Sequence, residues 1–477
     1  MQSANPRRWS ALAVIALAQF MVIMDTSIIG VALPKIQADV GFTPDSLSWV
    51  FNAYVIAFGG LLLLGGRLSD LLGANRVFMA GWAVLAGGSL MAGLADSVGV
   101  EIAARAVQGV GAALIAPSAL TLLMILFGSN EKELTKAFAV YGAASPAGGT
   151  AGVFLGGVIT EWISWPWVFY INIPIALLVL AVAPGVMPTV SARRGSIDLA
   201  GAITATAGLA LTVFAIVRAP EEGWGSATTL LSLAGGLALL AFFVAVQASR
   251  RQPLVRLGVF RAPNLAAANI VMLLLGAAWI PTWFFLNLYL QQVLGLGAFA
   301  GGAALLPMTL AVMVFILAVT PRVLGRFGDK PTIVAGLLVL TAGMALLSFV
   351  RADGSFVADV LPASIIAAAG MALPFIPALN TAISAAPPEE GGLASGIVNT
   401  SYQVGSALGL AVMTAIATSQ GADQLGNPAA LTDGYSAAFI GAAAVAVVGA
   451  LLAAALLRIP KASAAADADN DRELLAA

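Results

Sequence analysis

The chain has 477 residues, 60% hydrophobic and 9% charged, with a formal net charge of −1 and a mean hydropathy of +0.97. A soluble fold of this length cannot bury so much apolar surface, so the composition specifies a polytopic membrane protein. The sequence contains neither Cys nor His. That excludes disulfides, thiolate or imidazole metal sites and His-based proton transfer, and leaves any proton handling to carboxylates.

Fourteen apolar runs, each near the ~20 residues a bilayer requires, read as helices in an all-α membrane fold. Their limits are 10–34, 46–65, 76–95, 99–127, 136–160, 167–188, 198–217, 227–248, 264–290, 299–320, 332–350, 357–380, 392–418 and 435–457. The first run is too long for a cleavable signal peptide and carries Asp25, so it reads as a retained span. Basic residues set the orientation. With the N-terminus inside, 18 of the 22 Lys and Arg residues fall on the inner side. The expectation is a multi-pass protein of the cell membrane with both termini cytoplasmic. The basic, Pro-containing joints 188–195 and 249–263 flank two of the runs. The expected organisation is an N-terminal six-helix half (1–190), a two-helix insert with its linkers (191–262) and a C-terminal six-helix half (263–459). The tail, 460–477, is Ala- and Asp-rich without an apolar face and reads as disordered.

Within the spans, ionisable groups are scarce. Asp25 lies on the order of 12 Å below the outer end of the first helix, at ~1.5 Å per residue. A carboxylate there needs a partner or a water-filled cavity, and poor hydration favours proton uptake. It reads either as a proton carrier or as a structural acid paired permanently to a base. Arg105, in the fourth run, lies roughly 9 Å in from the same side. Glu101, one turn before it, is spaced for a local pair with Arg105.

Between the second and third runs lies a polar, glycine-rich stretch, Gly65–Arg76, read as a tight connection in water. Its candidate functional residues are Gly66, Arg67, Asp70, Gly73 and Arg76. A degraded copy, Arg322–Asp329, lies 255 positions further on, with Arg322 matching Arg67 and Gly328 matching Gly73. The fifth run carries Gly148, Gly152 and Gly156 at four-residue spacing, a bare face for close helix approach, with Gly157 beside it. Asn52, Gln108, Asn287 and Gln403 are polar residues within spans and candidate lining for a substrate cavity. Tyr54, Trp279, Trp283, Tyr289, Gln291 and Asn399 are further candidates, aromatics near helix ends also serving as interfacial anchors. The sequence has no G-x-x-x-x-G-K-[ST] phosphate loop, metal-ligand cluster or nucleophile elbow, so neither an enzyme nor an ATP-driven pump is expected. Nothing suggests nucleic-acid binding.

Several stretches resemble one family. Met24-Asp25-Thr26-Ser27-Ile28-Ile29-Gly30-Val31-Ala32-Leu33-Pro34 resembles the first-span signature of the fourteen-span drug:proton antiporters of the major facilitator superfamily, with Gly30 where Asn is usual. Arg105-Ala106-Val107-Gln108-Gly109-Val110-Gly111-Ala112-Ala113 resembles its R-x-x-Q-G-x-G-A-A motif. The stretch from Gly66 to Arg76 is similar to the superfamily's loop between spans two and three. The glycine face resembles the antiporter motif of span five, with Val153 in place of Pro. Trp165–Pro174, Ile197–Gly201 and Ser395–Gly405 match further family stretches.

This resemblance implies two six-helix halves plus two inserted helices, alternating access, and export of lipophilic small molecules or drugs driven by protons. It implies Asp25 as proton carrier, Arg105 as its electrostatic modulator with Glu101 next in line, and the Arg67–Asp70–Arg76 stretch as an inner-face latch. No cofactor beyond the proton gradient and a functional monomer are expected. A carrier of one specific metabolite, or a membrane sensor that does not transport, remain the alternatives.

Overall fold

The computed structural model describes residues 7–128, 130–188, 198–250, 253, 257–258, 262, 264–385 and 391–458. The tail and most of the first joint lie outside the described residues. Among the described residues, thirteen helices are long and apolar enough to cross a membrane. They are α1 (Arg8–Val40), α2 (Ser46–Leu72), α3 (Ala74–Gly93), α4 (Val98–Phe127), α6 (Trp167–Val186), α7 (Leu199–Glu222) and α8 (Ala227–Ser249). They continue with α9 (Leu265–Val293), α10 (Ala298–Phe327), α11 (Asp329–Leu347), α12 (Phe356–Ala385), α13 (Ala394–Ala422) and α14 (Pro428–Leu456). Between α4 and α6 runs α5 (Glu131–Trp162), whose apolar signal is diluted by glycines but which packs along α1 as the other helices pack on one another. All fourteen expected runs are therefore helices.

The pairings repeat. α1 packs on α5, α3 on α4 and α3 on α6; correspondingly α9 packs on α13, α11 on α12 and α11 on α14. The two sets meet through α5 against α10 and α2 against α13. The helices α7 and α8 pack on each other, and α7 also lies against α2 and α13. Asp198, Ser226 and Asn427 cap the starts of α7, α8 and α14 with their side chains, satisfying backbone N–H groups at those ends.

One expectation is corrected. Gly65 to Leu72 is not a loop: α2 continues through it, because Leu61 to Leu64 and Leu68 to Leu72 carry the helix forward. Gly65 lets α2 lie directly on the Ala113 carbonyl of α4. Only Gly73, at φ 92°, makes the turn, and α3 begins at the next residue. The second copy behaves alike, with α10 ending at Phe327 and Gly328 turning at φ 77°. Both glycines adopt a conformation that L side chains avoid.

The face Gly148, Gly152, Gly156 is in contact with the backbone of α1. The three lie on the carbonyls of Phe20, Met24 and Ile28, so two parallel helices run in register with a step of four on each. In lipid such close packing, rather than apolar burial, holds helices together. Gly157 faces the other way, onto Ala298 and Phe299 of α10.

The end of the bundle remote from the N-terminus is closed across α1 and α9. Gln291 donates to the Val31 carbonyl at 3.0 Å, Gln292 to Gln37 at 2.8 Å, and Tyr435 of α14 donates to Gln292 at 2.5 Å. Trp283 lies against Gly30, where any Cβ would collide with its ring. Ile28 to Leu33 are all buried, whereas Leu17, Phe20, Ile23, Thr26 and Ser27, toward the N-terminal end of α1, are partly exposed.

Candidate functional site

Five helices converge on Asp25. The carboxylate sits at the level where α1 changes from partly exposed to fully buried, and is itself 1% exposed. α4 brings Arg105 and Gln108, three residues apart and so on one face. α3 brings Ser89, and α2 brings Tyr54 and the Val50 carbonyl. α6 brings Asn172, which opens its longer segment just after the break at Ile171.

Arg105 is the centre of the cluster. Its Nη1 donates to Asp25 Oδ2 at 2.8 Å and to Gln108 Oε1 at 2.7 Å, and its Nε to the Val50 carbonyl at 2.9 Å. Tyr54 lies 4.6 Å below the guanidinium, measured to the ring centroid, and Phe169 lies at 5.9 Å. The second carboxylate oxygen, Asp25 Oδ1, accepts from Asn172 Nδ2 at 2.7 Å and from Gln108 Nε2 at 3.2 Å. Both amides also donate to Ser89 Oγ, at 3.1 Å and 2.8 Å. The charges therefore neutralise each other and the carboxylate has three donors. A buried pair is tolerated only when its remaining lone pairs are satisfied in this way.

Besides Asn172 Oδ1, three polar groups are left over. Arg105 Nη2, the Tyr54 hydroxyl and both carboxylate oxygens of Glu101 are buried without a hydrogen-bond partner. Glu101 thus does not form the local pair with Arg105 that its spacing allows. Asp25 and Gln108 accept from the guanidinium instead.

The other expected residues are dispersed. Gln108, read as cavity lining, belongs to the Asp25 cluster. Asn52 is buried with neither amide atom partnered, and Asn287 donates to the Trp283 carbonyl at 3.2 Å while its oxygen has no partner. Gln403 packs its stem onto Gly59 of α2, part of the contact between α2 and α13. At the α2–α3 turn, Asp70 and Arg76 are exposed, and no ion pair between them occurs among the described residues. The described residues contain no cluster of metal-ligating side chains.

Asn172 and Ser89 were not singled out from the sequence. Asn172 has a usable signal, an amide in the first turn of a span beside Pro174. Ser89 has none, since a serine in a span usually bonds its own helix.

A bundle of membrane-crossing helices in which one six-helix set of pairings recurs, with a neutralised ion pair buried between spans, is the architecture of a membrane transporter. The chain belongs to the Major Facilitator Superfamily, whose sequence profile matches residues 15–410 and 322–475. It is 41% identical over 438 residues to the cephamycin export protein CmcT of Amycolatopsis lactamdurans, covering 91% of this chain and 89% of that one. It is 38% identical over 465 residues to the puromycin resistance protein pur8 of Streptomyces alboniger, covering 96% and 92%. Among solved structures, the POT family transporter PepTSo superposes with a TM-score of 0.71 at 15% identity, covering 95% of this chain and 97% of that one, a likeness of fold.

Proposed function

We propose that the chain is a secondary active exporter of lipophilic small molecules, of the antibiotic type, exchanging substrate for protons by alternating access. The observation that carries the reading is the Asp25–Arg105 pair: a titratable acid, 1% exposed, held by three donors from two other helices of the N-terminal half, α4 and α6. The export and resistance functions of the relatives at 41% and 38% identity supply the substrate class. The fourteen-span drug:proton antiporter signature around Asp25 supports the coupling ion.

The N-terminus and the C-terminus lie in the cytoplasm of a cell-membrane protein, in keeping with the distribution of basic residues. The conformation is then closed to the outside, with Trp283 on Gly30 and Gln292 on Gln37 as the seal. Asp25 exchanges its proton with water admitted between α1 and α4. When it is protonated its hold on Arg105 weakens, and the halves 1–190 and 263–459 rock about the site, with the insert 191–262 riding beside α2 and α13. The turn at Gly73, with Arg67, Asp70 and Arg76, acts at the inner face on the rate of rocking. The proton gradient is the energy source, no cofactor is needed, and one chain is the working unit.

Purified protein in weakly buffered solution, challenged with a panel including a β-lactam and an aminonucleoside antibiotic, tests this. Binding compounds release protons from wild type and not from Asp25→Asn. Compounds that bind with no proton release, or with equal release from the variant, contradict it.

A further inference from the structure

Glu101 is unexplained by the site as described. It is 0% exposed, neither carboxylate oxygen has a hydrogen-bond partner, and it stands one turn of α4 before Arg105, on the side of the closed end of the bundle. The charges that act on it are Arg105 on its own helix and Asp25 on α1. Tyr54 of α2 faces the guanidinium, and α3 and α6 contribute Ser89 and Asn172, which do not titrate in this range. Asp96, in the turn before α4, is exposed.

One guanidinium neutralises one carboxylate. Asp25 takes it with a 2.8 Å bond and two further donors, whereas Glu101 receives no donor at all. A bare carboxylate in lipid-depth protein is far costlier than the neutral acid. Arg105 retains one unused donor, Nη2, and the i, i+4 spacing keeps Glu101 within its reach.

We propose that Glu101 is a second proton site, protonated in this conformation, and that Arg105 exchanges between the two acids as the proton passes from one to the other. The proposal rests on the reading of the chain as a proton-coupled carrier. In this state Asp25 is ionised, Glu101 carries its proton and Arg105 is a cation, so the trio is neutral. Transfer of the Glu101 proton to Asp25 breaks the Glu101 O–H bond and forms one on Asp25. Arg105 then releases Asp25 and bonds the new Glu101 carboxylate, and the trio is neutral again. Neither step leaves an uncompensated charge, which both-ionised or both-protonated states would. Glu101 is the entry from the closed end and Asp25 the exit toward the partly exposed stretch of α1.

Infrared difference spectra of the full chain in lipid nanodiscs at neutral pH test this without any transport. The protonated-carboxyl C=O band of wild type is lost in Glu101→Gln. It is also lost in Asp25→Asn, where Arg105 has only Glu101 left to pair and the carboxylate band of Glu101 replaces it. Glu101→Leu is a second variant, expected to fold at least as well as wild type because it removes an unpartnered acid. A protonated band that survives in both Glu101→Gln and Glu101→Leu overturns the assignment. One that survives in Asp25→Asn overturns the exchange. Failure of wild-type vesicles to couple export to protons would instead sink the transport reading and leave these spectra as they are.

Discussion

Adding one methyl group to α5 separates a packing glycine from a merely available one. A Cβ on Gly152 would stand 2.8 Å from the Met24 carbonyl oxygen and from Ser27 Cβ, and 3.0 Å from the Ile28 amide nitrogen. Backbone atoms of α1 cannot rotate away, so the helices must separate by about 0.6 Å or more to reach ordinary contact. Overpacking of this kind costs about 1–3 kcal/mol, set against a helix-propensity gain of about 0.5–1 kcal/mol from Gly to Ala. Gly149 is three residues away on the same helix, yet its nearest neighbour would be Ser27 Oγ at 3.8 Å, and Gly142 has nothing within 4 Å. Gly152→Ala is therefore expected to lose roughly 0.5–2 kcal/mol. Gly149→Ala and Gly142→Ala stay level or gain. Because α1 carries Asp25, Gly152→Ala should also slow transport. Thermal unfolding of the three variants in nanodiscs gives the ranking. Gly152→Ala as stable as Gly149→Ala would refute the backbone contact between α1 and α5.

Gly30→Asn, which restores the usual family residue, is expected to impair folding or closure by collision with Trp283, and Trp283→Ala in the same chain should relieve it; independent effects on expression and transport would count against the pairing. Asp70→Asn at the exposed end of α2 should slow transport several-fold with equilibrium binding nearly unchanged, and loss of binding at a normal switching rate would reverse the assignment. On this Cys-free chain, a cysteine at position 222, the last residue of α7, should be labelled only from outside the cell. Labelling from the cytoplasm alone would overturn the topology.

Much of this arrangement was legible from the sequence, for identifiable reasons. Fourteen spans are visible because lipid demands long apolar runs, and Asp25 and Arg105 stand out because charges at that depth are rare and costly. Their similar depth followed from counting residues at a fixed rise. The four-residue glycine step on α5 fixed the face, though not its partner. Partner choice is where local reasoning fails. Spacing along α4 offered Glu101 to Arg105, but Asp25 from another helix won the guanidinium. Gln108 read as cavity lining because an amide carries no mark of what it bonds. Gly65 and Gly66 read as a turn because glycine serves turns and close helix packing alike, and only the backbone shows that Gly73 alone turns. Gly30 made sense only once Trp283, more than 250 positions away, was seen against it.

The central claim is that Asp25 carries the coupled proton. Reconstituted vesicles with a fixed pH gradient and a drug substrate at equal concentration on both sides test it directly. Wild type should accumulate the substrate against its gradient. Asp25→Asn should bind substrate and exchange it downhill while concentrating none. Accumulation by Asp25→Asn, driven by the same pH gradient, would contradict the account.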